Sequence, residues 1–226
     1  MNVLFTGGSG LLGTSVRKLR PGWVYPLHAE LDVTQSGEWN DYRFSFHNYE
    51  TIVHAAAVND TTKSLDQASV VMANILGTSN VVVNAIHAGT RLVYVSTDYV
   101  FRGEIGLYGE DDALHPATSY GWSKLGGECA VRMYDKGLIV RGSFGVSPFP
   151  HKSAYFNQWT SRLPVDEYAR RLVAIIESDA VGVVHIAGPR RTVHQFACDT
   201  GASPDKMSRL EQPFVIPYDT SLVETK

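Results

Sequence analysis

The sequence predicts an α/β fold, a doubly wound parallel sheet with helices on both faces. Three observations predict it. Strand-like and helix-like segments alternate along the chain, a glycine-rich turn joins the first of each, and the central strand-like runs are apolar throughout, as strands covered on both faces must be. Val3-Leu4-Phe5 is the first strand and Leu11 to Leu19 the first helix. A second short strand is expected around Val24 to Leu27, and Thr51-Ile52-Val53-His54-Ala55 has the character of a buried strand. Asp66 to Ala88 has helical period, Leu92-Val93-Tyr94-Val95 is strand-like, Ser119 to Tyr134 is a second long helix, and Leu138 to Val140 is another strand. Ser147-Pro148-Phe149-Pro150 then breaks regular structure. Pro164 stands at the first turn of a helix reaching Ile176, and Val183-Val184-His185-Ile186 closes the alternation.

The 226 residues are 44% hydrophobic and 19% charged, enough to bury a sizeable core in one domain or in one domain with a small appendage. The 20 basic and 23 acidic residues, net charge −3, are dispersed, which gives no basic surface for nucleic acid or for an anionic membrane. Continuous apolar runs such as Ile52 to Val58 fall far short of the ~20 residues that span a bilayer, so no membrane span is expected. Met1 to Thr6 leads into the glycine turn as a core strand rather than a secretory leader, and a cytoplasmic location is the expectation. Cys129 and Cys198 lie far apart, without zinc-binding spacing, and are expected to be reduced thiols. The eight histidines form no His-x-x-x-His or His/Cys cluster, and Glu110-Asp111-Asp112 has the character of a solvated loop, so no metal is expected.

Gly7, Gly10 and Gly13 have the spacing G-x-x-G-x-x-G, and Gly8, Gly10 and Gly13 also satisfy G-x-G-x-x-G, between the first strand and the first helix. One glycine permits the tight turn, another lets the backbone approach a pyrophosphate, and a third lets helix pack on strand. The free N–H groups at the head of the helix, Leu11 and Leu12 among them, and the helix dipole favour an anion there. This predicts a Rossmann-type NAD(P)-binding part over residues 1–146, with the remainder, 147–226, a reduced substrate-binding part from which a helix and a strand return to the sheet. After the second strand come His28, Ala29 and Glu30, with no acid directly after Leu27, so the cofactor is NADPH or NADH. Asp32 is the better choice for the adenine edge of the cofactor, with a turn cap at Asp32-Val33-Thr34 as its structural alternative.

Tyr120-Gly121-Trp122-Ser123-Lys124 is Y-x-x-x-K, whose i, i+4 spacing on a helix puts phenol and ammonium on one face. A cation beside a phenol stabilises the phenolate and lowers its pKa. In a reductase, Tyr120 would protonate a carbonyl oxygen as hydride arrives, and Lys124 would also hold the nicotinamide ribose. Ser96 and Thr97, at the end of the strand Leu92 to Val95, supply a hydroxyl that could polarise the same carbonyl.

These residues resemble the extended short-chain dehydrogenases, and more closely the dTDP-4-dehydrorhamnose reductase family. Met1 to Gly13 is similar to that family's opening strand and turn, Leu31-Asp32-Val33-Thr34 to its Leu-Asp-Ile-Thr element, and Val53-His54-Ala55-Ala56-Ala57 to its Val-Asn-Ala-Ala-Ala strand end. The most specific run is Arg91 to Phe101, with Ser96-Thr97-Asp98-Tyr99 at its centre, followed by Glu110-Asp111-Asp112 and by Tyr120 to Glu128. The resemblance implies reduction of a nucleotide-linked 4-keto-6-deoxysugar. It implies Thr97 as the catalytic hydroxyl with Ser96 in reserve, Tyr120 as proton donor, Lys124 as its partner, and Ala55, Ala56 and Ala57, with Val33, along the cofactor. Leu138 to Phe144 is similar to Leu-Ile-Val-Arg-Thr-Ser-Trp, so Phe144 takes the place of a substrate-packing tryptophan, and Ile216 stands where arginine is usual. The substrate-covering segment is much reduced, with Phe149 to Phe156 running almost directly into Asn157-Gln158-Trp159, which makes the chain a shortened relative.

Epimerisation by the same tyrosine is an alternative activity, and a non-catalytic NAD(P)-binding regulatory subunit is an alternative of another class. The run Thr97-Asp98-Tyr99, where a dehydratase would have Thr-Asp-Glu, favours a simple reductase. Tyr155, Phe156 and Trp159 suit either substrate stacking or a small hydrophobic cluster under a loop. The two long helices could pair with those of another copy, giving a homodimer.

Overall fold

The computed structural model describes residues 1–35, 42–59, 66–203, 208–211 and 217–225. Its central sheet has five parallel strands, β1 (Val3–Thr6), β2 (Thr51–His54), β3 (Arg91–Val95), β4 (Gly137–Gly142) and β5 (Gly182–Ile186), side by side in that order. Helices cover both faces, so the doubly wound α/β expectation holds. The strand expected at Val24 to Leu27 is reduced to one bridge, parallel to Leu4 on the free side of β1. Phe5 N–H donates to Val24 at 2.8 Å and Val24 N–H to Val3 at 2.9 Å. Pro26, two residues on, has no N–H to continue such a ladder. The chain therefore leaves β1 in one direction for Val24 and passes back across it to β2 in the other. That reversal puts the topological switch point, where open α/β sheets hold ligands, at the glycine turn.

Side chains alternate across each strand, and the two faces sort accordingly. Val3, Phe5, Val53, Val93 and Val140 face α1 (Leu11–Leu19) and, farther along the chain, Val165–Ile176, through Leu12, Val16, Leu172 and Ile176. Leu4, Ile52, Leu92 and Ile139 face α2 (Gln67–Ala88) and α3 (Ser119–Val131), through Val81, Val82, Ala85 and Val131. Val165–Ile176 is α4, and a short α5 (Val193–Asp199) follows β5.

Asp66 caps α2 by accepting from Ala68 N–H, and Gly89, at φ +65°, ends it in the left-handed conformation. Within α2, Met72–Leu76 forms a π turn. With 22 residues, and a most apolar stretch of mean hydropathy 1.5 that is one third buried in the protein, α2 is long and apolar enough by composition to cross a membrane. The sequence did not show this because uncharged polar residues such as Ser69, Asn74 and Asn80 interrupt its apolar runs. Helix α3 stops at Val131 rather than Tyr134, whose phenol instead donates to the carbonyls of Ala85 and Thr90.

Three short ladders stand beyond the sheet. Phe144–Gly145 pairs with Leu163–Pro164, Ser153–Tyr155 with Ser208–Leu210, and Trp159–Thr160 with Arg191–Thr192. Residues 217–225 return across the chain: Tyr218 and Asp219 N–H donate to Gly103, and Leu222 N–H to Ser161 Oγ.

An ion pair ties α3 to β4. Arg141 and Glu128 are both fully buried, 2.8 Å apart, and Glu128 also accepts from Ser96 Oγ at 2.5 Å while Arg141 donates to Glu110 O at 3.1 Å. Removing one partner strands the other's charge without solvent, which costs about 3–5 kcal/mol, whereas an apolar pair of similar volume is close to neutral. Urea denaturation is therefore expected to show Arg141→Met much less stable than the parent, and Arg141→Met with Glu128→Leu to recover most of the loss.

Candidate active site

The site begins at the glycine turn. Gly7 has φ +76°, and a Cβ there would lie 2.7 Å from Ala56 N, while a Cβ on Gly13 would lie 2.5 Å from Gly8 Cα and 2.6 Å from Gly7 O. These are backbone neighbours that cannot swing aside, so the turn presses both on the loop after β2 and on its own helix only because side chains are missing. Gly10 N–H closes the turn onto Gly7 O at 3.0 Å. Gly10 is also the N-cap of α1, in extended conformation and without a side-chain cap, and the first turn carries no acid. The N–H groups at Leu11, Leu12 and Gly13 thus form the positive end of a helix dipole at the switch point.

Beside the turn lies an open hollow of about 340 Å³, lined by Gly7, Ser9, His28, Leu31, Val33 and Ala56, with Thr6 and Pro26. Gly7, Val33 and Ala56 are thereby brought together. Asp32 lies between Leu31 and Val33, and its carboxylate accepts from the N–H and hydroxyl of Thr34 at 2.9 and 2.8 Å, the turn-cap arrangement. Ala55 packs on the core, and Ala57 is exposed on the loop beyond. That loop is clasped by Asn74, fully buried in the π turn of α2: Asn74 exchanges hydrogen bonds with the backbone of Val58 at 2.7 and 2.8 Å and donates to Ser123 Oγ at 2.9 Å. Sequence reasoning passed over Asn74, although an amide in an uncharged apolar helix was a signal. The extra backbone residue of a π turn often marks such a site.

The second half of the site lies at the end of β3. Thr97 caps the short turn Asp98–Val100, accepting from Tyr99 N–H at 3.2 Å. Thr118 caps α3 by accepting from Gly121 N–H at 3.0 Å, which fixes the helix so that Tyr120 and Lys124 share one face. Gly121 packs against the Tyr99 carbonyl, where a Cβ would come within 2.2 Å. The Thr97 hydroxyl acts on the Tyr120 phenol, favouring its ionised form. Lys124 is 2% exposed, donates to Val95 O at 2.8 Å and lies 4.1 Å above the Tyr94 ring. Burial pulls its ammonium down to about 7, against the opposing pull of Glu128. His54, held between Thr6 and Thr78 hydroxyls, is pulled to about 3 by burial and by the Lys124 charge, and so stays neutral.

The electrostatics of Tyr120 differ from the sequence expectation. A phenol lowered by Lys124 was expected. In the ligand-free chain burial, then the Asp98 charge, push Tyr120 well above the ordinary tyrosine range, with Thr97 opposing. Ser96 is committed to Glu128, so Thr97 is the hydroxyl that faces the tyrosine. Asp98, which sequence reasoning left without a role, is 1% exposed and accepts from Thr97 Oγ1 at 3.1 Å and Thr220 Oγ1 at 2.7 Å. Its position directly after Thr97 was the signal available.

Asp98 and Tyr99 open onto a narrow polar cavity shared with Ser143, Gln158, Trp159 and Arg162. The Trp159 ring lies 4.0 Å beneath the Arg190 guanidinium, while Tyr155 joins a small cluster with Phe149, Ala154 and Ala197. Phe144 packs 4.8 Å from the Tyr168 ring, one residue beyond the cavity-lining Ser143. Ile216 falls outside the described residues. Among the described residues, no group of three His, Cys, Asp or Glu side chains could hold a metal ion.

The family described as RmlD substrate binding domain matches residues 1–146. The chain belongs to this family. SpsK of Bacillus subtilis, a spore coat polysaccharide biosynthesis protein, is 31% identical over 188 residues, covering 80% of this RmlD-family chain and 63% of SpsK, so the chain spans less than two thirds of that relative. The methionine adenosyltransferase 2 subunit beta of Bos taurus is 27% identical over 235 residues, covering 87% and 70%. A structure described as a hypothetical dTDP-4-dehydrorhamnose reductase from Sulfolobus tokodaii superposes with a TM-score of 0.84 at 26% identity, covering 98% and 92% of the two chains. That of dTDP-4-dehydrorhamnose reductase from Bacillus anthracis in complex with NADP superposes at 0.85 and 23% identity, covering 99% and 90%, a likeness of fold.

The depressed Lys124 can be observed directly in this RmlD-family chain. In ¹³Cε-lysine NMR of the ligand-free protein, the resonance lost in Lys124→Met is expected to titrate near pH 7, about three units below an ordinary lysine.

Proposed function

We propose that the chain is an NAD(P)H-dependent reductase of a nucleotide-linked 4-keto-6-deoxysugar. The observation that carries it is the meeting of Thr97, at the end of β3, with Tyr120 and buried Lys124, one helical turn apart on α3, at the same edge of the sheet as the glycine turn that follows β1. The glycine cradle, the free N–H groups of α1 and the hollow at Val33 and Ala56 suit a dinucleotide. Gly7, Gly10, Leu11, Leu12 and Gly13 would hold its pyrophosphate, Asp32 and Val33 its adenosine end, and Ala55, Ala56, Ala57, Tyr120 and Lys124 the nicotinamide half. The cofactor, when bound, supplies the hydride.

The chain's own residues manage the proton. Tyr120, pushed high, keeps its proton at the phenol oxygen at neutral pH and can give it to a carbonyl oxygen as that oxygen becomes basic. Lys124, near 7, can be charged or neutral at that pH and is suited to restoring the proton. The cavity at Ser143, Gln158, Trp159 and Arg162 offers hydroxyl, amide, aromatic and cationic groups to a sugar nucleotide, with Phe144 behind it. Leu76, Val83, Ile86 and Trp122, exposed on α2 and α3, support pairing of two copies in the cytoplasm.

A regulatory subunit that binds the cofactor without turnover is the second reading, favoured by the likeness to methionine adenosyltransferase 2 subunit beta over 87% of the chain. NADPH or NADH oxidation with a dTDP-4-keto-6-deoxysugar separates the two. Turnover is expected in the parent, a fall of about 10²–10⁴-fold in Tyr120→Phe with cofactor binding kept, and loss of cofactor binding in Gly13→Ala. Tight cofactor binding with no turnover of any nucleotide-linked keto-sugar would favour the regulatory subunit.

A further inference from the structure

The geometry points to Thr220 as a positioning residue that acts through Asp98, holding the carboxylate so that Thr97 gives its only proton to Asp98. A threonine hydroxyl has one proton and two lone pairs. Here the proton of Thr97 goes to Asp98 Oδ1 at 3.1 Å, and its oxygen accepts from Tyr99 N–H at 3.2 Å. The other oxygen of Asp98 accepts from Thr220 Oγ1 at 2.7 Å, and Thr97, Asp98 and Thr220 are all buried. With Asp98 ionised, the Tyr120 proton is the one available to a substrate carbonyl, and Thr97 has none to give. Protonation of Asp98 removes the acceptor that fixes Thr97 and releases this order.

Thr220 comes from the C-terminal segment, more than 120 residues from Asp98. The segment is anchored independently of it. Asp219 is bonded to Arg190 at 2.6 Å and to Ser221, and Leu222 N–H to Ser161. The backbone at Gly103 and Gly106 lies so close that a Cβ there would come within 2.3 Å of Pro217 and of the Asp219 carboxylate. Loss of the Thr220 hydroxyl should therefore leave the segment in place. The ionisable groups facing Asp98 are Arg162 across the cavity, Tyr99 beside it, Tyr120 on α3 and Tyr168 on α4. Burial already pushes Asp98 above the ordinary aspartate range, with Thr220 the first of the influences holding it down.

The inference rests on the reductase reading for its consequence in turnover but not for its electrostatics, and the two are tested apart. In ¹³C-carboxyl NMR of the ligand-free protein, the signal lost in Asp98→Asn identifies Asp98. Its titration is expected to move up by about one pH unit in Thr220→Val, the loss of one charge-assisted hydrogen bond, and to return in Thr220→Ser. Circular dichroism should show all three variants folded. The acid limb of the kcat profile, where activity falls as Asp98 takes up its proton, should move up by the same amount in Thr220→Val and return in Thr220→Ser. An Asp98 titration that stays put in Thr220→Val overturns the proposal, as does an acid limb that ignores a shifted carboxyl. A shifted carboxyl in a parent that turns over no keto-sugar upholds the hold of Thr220 on Asp98 and overturns the reductase reading instead.

Discussion

The buried pair Arg141–Glu128 is the contact on which the placement of α3 over the strand ends depends. Glu128 lies one turn beyond Lys124 on α3, and Arg141 lies on β4 next to β3, so a single ion pair fixes the helix in rotation and height over the strand ends. Ser96 joins it at the tip of β3, which leaves the adjacent Thr97 turned away from this pair and toward Tyr120. Two neighbouring hydroxyls are thus given different tasks by one carboxylate. A buried pair of this kind adds little net stability over apolar packing, since desolvation offsets most of the attraction. Its geometry ties helix to sheet, and that tie sets where Tyr120 and Lys124 stand over the strand ends.

The cofactor half is held by the opposite device, the absence of side chains. Gly7 and Gly13 bring three pieces of backbone to distances that any Cβ would forbid, and the first N–H groups of α1 are left with no cap. The two halves meet at Asn74. Its π turn shifts α2 so that one amide reaches both the Ala55–Val58 loop, beside the glycine turn, and Ser123 on α3, between Tyr120 and Lys124. Asn74 thus bridges the two halves as a fully hydrogen-bonded, solvent-free group, the condition under which polar networks hold a single arrangement.

Much of this was legible in the sequence because it is local. The five strands are apolar runs, the glycine turn is a spacing, and Tyr120 and Lys124 share a helical face by arithmetic. What escaped was long-range. Nothing near Asp98 in sequence announces Thr220, and nothing near Glu128 announces Arg141 or Ser96. The strand at Val24 failed because one proline decides whether an edge continues, and the apolar length of α2 was hidden by uncharged polar residues that a helix disperses around its circumference. Asp32 shows the limit of motif reasoning at short range: both its uses were apparent, and the hydrogen bonds to Thr34 are those of the turn cap.

Tyr120 and Lys124 depart from expectation in the same direction, and one cause accounts for both. Burial disfavours each charged form, so the phenol is pushed up and the ammonium down, and the two converge on neutrality rather than on a phenolate–ammonium pair. Asp98 adds to this by making a second negative charge beside it costly. A site arranged this way keeps its proton on tyrosine until a more basic oxygen forms in contact with it. In the proposed reductase such a resting state would suit protonating a carbonyl that is gaining electrons, and would be poorly matched to drawing a proton from an alcohol at neutral pH. The direction of the proposed chemistry would in that sense be set by the burial of Lys124 and the partial enclosure of Tyr120, which is a property of the packing of α3 on the strand ends rather than of the motif that names them.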